Sequence, residues 1–328
     1  MKLPRHRFRH LTACAAVVAV FFIAGTCHDG WSQPAASVKI IVPFAAGGTA
    51  DTLARLLADQ IGRSFGQTVV IENRPGAGSV IGTEAVARAT PDGTTILLMA
   101  NSFTINPSVK KLNYDPLTAF EPVCFLVRSP IVVSVIGTST HRSIADLLSA
   151  ARTKPGDLTM AGNGPASAHH IAFEMLKRAA NVNMTFVPFS GSAPAVNTLL
   201  GDHVSSAITD YSDVAEQVRA GRLRALVTAS RERIEALPNL PTMVEAGFAD
   251  YEAEGTLGVV APAKTPNDAI SRLSGWFKSA LQVPEIRTKL AAHGLYPVGA
   301  CGADFGAHLR KQLSDYGRVI REANIKAE

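Results

Sequence analysis

Between Val38 and Gly62 the chain reads VKIIVPFAAGGTADTLARLLADQIG: an apolar run, a break and an amphipathic run with no spacer. Val38, Ile40, Ile41 and Val42 predict a short buried strand, which Pro43 ends because it has no N–H for a ladder. Gly47 and Gly48 allow a sharp turn, and Leu53, Leu56, Leu57 and Ile61 then recur at helical spacing on one face. The first N–H groups of such a helix have no partner inside it. With the positive end of the helix dipole behind them, they favour an anion above the turn, either a carboxylate or a phosphate. Thr49 or Asp51 can instead serve as a helix cap, and Asp51 is the better one because a carboxylate facing an anion would repel it. The stretch matches neither GxGxxG nor GxxxxGK[ST], so the phosphate-contact pattern of dinucleotide and triphosphate sites is missing.

The alternation continues downstream. A strand at 68–72, the turn NRPGAGS, a helix at 80–88, the turn TPDGT and a strand at 94–99 follow. A second series runs from a helix at 143–152 through a strand near 158–161, a helix at 169–180 and a strand at 184–187. It goes on with a helix at 193–200, a strand at 204–209, a helix at 214–220 and a strand at 225–229. Strands that alternate with helices at short intervals predict an α/β fold with mostly parallel sheets covered on both faces.

At 328 residues the chain is too long for one ordinary core and fits two domains. The apolar run 123–136, interrupted at Arg128-Ser129-Pro130, predicts two strands, the second leaving the first domain; the run 257–260 predicts the return. On this reading residues 38–136 plus 260–328 form a discontinuous domain 1, and 137–259 form an inserted domain 2. Ligands of open α/β sheets sit at the carboxyl ends of the strands, here between the two halves of a hinged clamp.

Hydrophobic residues make up 47% of the chain and charged residues 18%, a composition that excludes disorder. Lys2, Arg5, Arg7 and Arg9 precede an apolar stretch from Ala13 to Ala24, the layout of a secretory signal peptide over residues 1–32. Gly30 and Ser32 suit cleavage before Gln33, and the chain is then expected in the periplasm. A lipoprotein reading with Cys27 acylated fits Ala24-Gly25-Thr26 only loosely. Removing those 32 residues takes away four of 32 basic and one of 27 acidic side chains and leaves a net charge of +2. That balance recommends neither nucleic acid nor a membrane surface as partner. Cys124 and Cys301 remain after processing; in an oxidising compartment they form either a disulfide or two buried thiols, and the sequence leaves both open.

Several motifs resemble one family. IIVPFAAGGTAD (40–51), VVIENRPGAGSVIG (69–82), TPDGTTIL (90–97), YDPLTAFEPV (114–123), AGNG (161–164), GRLRAL (221–226), LPNLPTMVEAG (237–247) and GVVAPAKTP (258–266) are similar to Bug-type solute receptors of tripartite tricarboxylate transporter systems. The resemblance runs from about Val38 to the C-terminus. It implies a two-lobed periplasmic binding protein (type II-like), a monomer without cofactor, that closes on a small carboxylate and delivers it to a membrane permease. Dicarboxylates, tricarboxylates, amino acids and aromatic acids all stay open as ligands. A receptor that presents its closed form to a signalling partner would use the same pocket. A hydrolase reading finds no GxSxG elbow and no HExxH.

The resemblance also implies site residues. One ligand carboxylate is expected on the amides of the first turn, at Ala46, Gly47, Gly48 and Thr49; Asn101 and Ser102, by their own position after the strand at 94–99, are candidate side-chain donors at the lip of domain 1. In domain 2 the turn before the helix bearing His169 and His170 matches, although GNGPASAHH looks about two residues longer than the family's serine run and single His. Which of Ser167, His169 and His170 faces the cleft is therefore open. Ser190, Gly191 and Ser192 precede another helix; Phe189-Ser190 stand where relatives often carry Tyr-Lys. Asp210 matches an acidic position that meets the ligand ammonium in amino-acid-binding relatives, or else caps the next helix. Thr256 stands near a common Trp, a loss that widens the pocket or is compensated by Phe189 or Phe103. A metal site from His169, His170 and Glu174 is disfavoured, because adjacent helical residues point about 100° apart.

Overall fold

A computed structural model describes residues 37–326 except Ala45, Pro165, Ala166 and Ser190. The expected signal peptide, Cys14, Cys27 and Ser190 lie outside the described residues. The order is β1 (Val38–Val42), α1 (Thr49–Phe65), β2 (Val69–Asn73), α2 (Val80–Ala87), β3 (Thr95–Met99), α3 (Ser102–Val109) and β4 (Phe120–Ile136). Then come α4 (Ile144–Thr153), β5 (Thr159–Asn163), α5 (Ala168–Ala180), β6 (Thr185–Phe189), α6 (Ser192–Leu200), β7 (Ser206–Asp210), α7 (Tyr211–Arg219) and β8 (Leu223–Thr228). β9 (Glu254–Pro262), α8 (Asn267–Gln282), α9 (Pro284–Ala292), β10 (Tyr296–Cys301) and α10 (Ala303–Glu322) complete the chain.

The period of two in β1 decides how the first lobe is layered. Val38, Ile40 and Val42 point to one face, where they pack with Leu53, Leu57 and Ile61 of α1 and Leu273 and Phe277 of α8. Ile41 points the other way, into a cluster with Val86 of α2 and Phe305 of α10. The second lobe repeats this arrangement. Val133, Met160 and Ile208 meet α4 and α5 on one face, while Val132, Ala161 and Ala207 meet α6 and α7 on the other.

The fold is a two-lobed α/β architecture, and β4 is the element that both lobes share. Its first part pairs with β9 and β10 as far as Pro130, opposite Glu254; from Ile131, opposite Asp210, it pairs with β7 and β8. The sequence predicted two strands broken at Arg128-Ser129-Pro130, whereas β4 is one strand of 17 residues. The interruption marks a change of partners rather than a break in the strand. Pro130 is tolerated because it stands where one set of ladder bonds ends and another begins. The expected parallel sheets are found for β2-β1-β3 and β6-β5-β7, but β4, β8, β9 and β10 add antiparallel pairs, so both sheets are mixed. Among the described residues β9 pairs with β3 and with the first part of β4 alone.

Cys124 and Cys301 face each other on β4 and β10 and are joined by a disulfide that bridges a sequence separation of 177. The lobes also touch beside the shared strand. Ile171 of α5 packs with Tyr316, Val319 and Ile320 of α10, and Arg178 pairs with Glu322. No helix among the described residues is long and apolar enough to cross a membrane.

Candidate functional site

The parallel strands of both lobes end at one cavity of about 390 Å³. Phe44 follows β1, Ala100 and Asn101 follow β3, Asn163 ends β5 and Asp210 ends β7; all line it, as do Gly48, Thr49 and Ala50 at the start of α1. Ser129 of β4, Gly255, Thr256 and Leu257 of β9, and Ser212 and Asp213 of α7 complete the wall. This is the position that strand polarity favours for a ligand. Larger hollows, about 540 Å³ beside Arg142 and Pro238 and about 640 Å³ along α1 and β2, are open surface grooves away from these strand ends.

The first turn is held by Asp51. Its Oδ2 accepts from the Gly47 N–H at 2.9 Å and from Arg55 Nε at 2.9 Å, and its Oδ1 accepts from Asn73 Nδ2 at 3.0 Å. The Arg55 hydrogen bond is the main reason that the Asp51 carboxyl titrates at about 2. Three consequences follow for the residues predicted here. The Gly47 amide is already donated to Asp51, and only Gly47, at φ 84°, has the left-handed backbone that calls for glycine. Gly48 is the helix N-cap, at φ −79°. The first bond inside the helix runs from Thr52 N–H to Gly48 O, so the amides of Gly48, Thr49 and Ala50 precede it and border the cavity. Asp51 is paired with Arg55 and turned toward Gly47 and Asn73.

Asn101 lines the cavity, but its side-chain amide joins three elements. Nδ2 donates to Glu254 O and to Tyr316 Oη, each at 3.1 Å, and Oδ1 accepts from Thr256 N–H at 2.8 Å. The Thr256 hydroxyl accepts from Gln312 Nε2 at 2.9 Å, and Gln312 Oε1 accepts from Thr104. This polar tier makes a fixed floor under the cavity. Ser102, predicted as a lip donor, instead meets the Ser79 hydroxyl at 2.7 Å and is not among the lining residues. Neither Phe103 nor Phe189 lines the cavity; Phe103 packs edge-on to Phe120, and the aromatic side chain at the cavity is Phe44.

In the second lobe Ser167 is the N-cap of α5. Its Oγ accepts from the His170 N–H at 3.1 Å and donates to Asn163 O at 2.9 Å. The His170 ring stacks on Phe186 with centroids 4.4 Å apart and lies 4.0 Å from Glu174; burial lowers its pKa. His169 points elsewhere, with Nε2 3.6 Å from Asp210 Oδ2. Gly191 caps α6, and Ser192 Oγ donates to Asn163 Oδ1 at 3.1 Å. Of the residues expected from sequence, Gly48, Thr49, Asn101 and Asp210 line the cavity, whereas Ala46, Gly47, Ser102, Ser167, His170, Gly191 and Ser192 do not.

Sequence reasoning missed Ser129, Asn163, Gly255 and Asp213. The last is in view once α7 is seen to begin at Tyr211, three residues before the predicted start, because Asp213 then follows Asp210 at a spacing that shares a helix face. Crowding by the cleft walls pushes the Asp213 carboxyl up to about 6, and the Asp210 charge adds to that push. Lys, Arg and His are absent from the described lining. Among the described residues no group of three His, Cys, Asp or Glu side chains is placed to hold a metal ion.

The family model for the tripartite tricarboxylate transporter family receptor matches residues 53–325. Protein BugT of Bordetella pertussis is 32% identical over 326 residues, which is 97% of this chain and 99% of that protein. Among solved structures, an R. palustris protein with adipate is 31% identical at a TM-score of 0.76, covering 90% of this chain and 99% of that one. MatC from Rhodopseudomonas palustris, with bound malate, is 28% identical at a TM-score of 0.71, covering 88% of this chain and 99% of the other. With a cavity between two lobes and a family model that spans most of its length, the chain belongs to the tripartite tricarboxylate transporter receptor family, whose members are solute-binding receptors rather than enzymes.

Proposed function

We propose that this protein captures a small carboxylate in the cavity between its lobes and hands it to a tripartite tricarboxylate-type permease. The observation that carries this reading is the meeting of the Gly48, Thr49 and Ala50 amides with a cavity at the strand carboxyl ends. The amides and the dipole of α1 receive the carboxylate, and Asp51 holds the turn in shape from behind. Sharing the anion among uncharged donors avoids burying an unpaired cation when the cleft closes. The related proteins with adipate and malate support a carboxylate as the ligand class.

In this reading the chain crosses between the lobes twice, near Pro130 within β4 and again between β8 and β9, so the lobe that holds β1 is discontinuous and the other is inserted into it. Closure bends β4 near Pro130 and the segment that leads from β8 into β9. The mature chain starts at Gln33 after removal of the signal peptide and works as a monomer in the periplasm. Thermal shift with small carboxylates and with their primary amides tests the proposal. Stabilisation by the acids alone is expected, and equal stabilisation by acid and amide would overturn the carboxylate assignment.

A further inference from the structure

The two crossings between the lobes run side by side, and a carboxyl group is set between them. Glu254, the first residue of β9, stands opposite Pro130, one residue before β4 passes from β9 to β7. Ala229, just after β8, donates its N–H to Ile131 O and accepts from the Ala253 N–H, so the end of β8 is tied to both crossings at this level. From the first lobe, Asn101 Nδ2 donates to Glu254 O at 3.1 Å. The Glu254 side chain borders a hollow of about 30 Å³ under α10, shared with Glu252, His308, Lys311, Gln312, Asp315 and Tyr316. That is room for a water molecule or two and for no ligand.

Charges from both lobes surround Glu254, and each is committed to another partner. Arg128 of β4 pairs with Glu232, which follows β8, at 2.6 Å. Glu252 lies 3.5 Å from Arg231 and 3.8 Å from Lys311, and Lys311 lies 2.8 Å from Asp315. Among the described residues no Lys, Arg or His makes an ion pair with the Glu254 carboxyl. The buried Ser230 hydroxyl faces it and has no other partner among the described residues. On α10, burial lowers the pKa of His308 and raises that of Tyr316. Withdrawal from water disfavours an ionised carboxyl that no cation compensates. Burial accordingly pushes the Glu254 carboxyl up to about 7, with Glu252 and Glu232 adding to the push and Arg128 opposing it.

We infer that Glu254 is a proton-binding site built into the hinge: its neutral form favours the lobe arrangement of this structure, and its ionised form favours one in which the crossing meets water. The inference goes beyond the carboxylate reading and uses only the hinge closure proposed with it. Arg128 and Lys311 belong to the first lobe, while Arg231 and Glu232 follow β8 of the second. A rotation about the crossings therefore changes which charges flank Glu254 and how far water reaches it. The proton is held more tightly in this arrangement than at the ordinary carboxyl value of 4.5, so the preference for it is complete below pH 4.5 and is lost as pH rises through about 7. The ratio of the two arrangements then changes roughly 30-fold between about pH 5.5 and pH 8.5.

Asp213, at about 6, titrates in the same range, so the test turns on variants as well as on pH. Small-angle X-ray scattering of the ligand-free protein is recorded from about pH 5.5 to pH 8.5 for wild type and Glu254→Gln. The wild-type profile is expected to shift with pH, and Glu254→Gln, a lasting mimic of the neutral acid, to keep the wild type's acid profile throughout. Glu252→Gln removes a neighbouring negative charge and should move the wild-type midpoint to lower pH, whereas Arg128→Gln removes the opposing cation and should move it higher. A wild-type profile that ignores pH, a shift that Glu254→Gln retains, or midpoints that move the opposite way overturns the inference. Excess adipate or malate at fixed pH examines the hinge separately. A ligand-induced change without a pH-induced one removes the inference alone, and no change from either removes the closure with it.

Discussion

Thr49→Pro removes one amide from the proposed anion site and almost nothing else. Thr49 is the first residue of α1, the position where proline is best tolerated, since its N–H has no partner in the helix and its φ is already helical. Proline also restricts the residue before it to extended backbone, and Gly48 already sits there at φ −79°, ψ 173°. The Thr49 side chain is exposed, so little packing is lost. If the Thr49 N–H donates to a ligand carboxylate, its removal deletes one charge-assisted hydrogen bond of about 1.5–3 kcal/mol. At 1.4 kcal/mol per decade, affinity should fall roughly 10- to 100-fold. Calorimetric titration of the same carboxylate into wild type and variant measures this, with chemical denaturation of both as the control for folding. A variant that keeps its stability and its affinity would show that this amide does not hold the ligand. The anion would then have to be received elsewhere in the cavity.

Two further outcomes are expected. Asp51→Asn should destabilise the protein by about 2 kcal/mol at neutral pH, because a carboxyl drawn from 3.8 to about 2 contributes roughly that amount when ionised. The contribution is complete above pH 3.8 and is lost as pH falls through 2, so denaturation curves of wild type and variant should converge in acid; a gap that widens there would refute the role given to Arg55. Cys301→Ser should lower stability by up to about 5 kcal/mol in the chain-entropy model for a loop of 177 residues, read from denaturant midpoints with and without reductant; a midpoint insensitive to both would contradict a structural bridge.

How much of this was legible beforehand follows the range of the interactions. β1, the turn and α1 were readable because their signals lie within a few residues: a β-branched run, a proline stop, two glycines and a helical stripe. That the first amides of α1 lack helical partners follows from that local pattern alone. The Gly47 N–H was assigned to a ligand because its partner, Asp51, lies four residues on and two-thirds of a turn into the helix; only the folded turn brings them to 2.9 Å. Asn101 read as a lip donor, yet its partners Glu254, Thr256 and Tyr316 are more than 150 residues away, beyond any spacing rule. Pro130 looked like the end of a strand because a proline disrupts a ladder, and the fold instead changes partners at that point. Asp213 was hidden by a helix start placed three residues late.

The central claim is that a ligand carboxylate rests on the start of α1. A crystal structure of the protein with its tightest-binding carboxylate tests it most directly. A carboxylate oxygen is expected about 3 Å from the Gly48, Thr49 or Ala50 N–H, or joined to one of them through a single water. A carboxylate directed instead at the wall formed by Asp210 and Asp213, with the α1 amides facing solvent, would contradict the account.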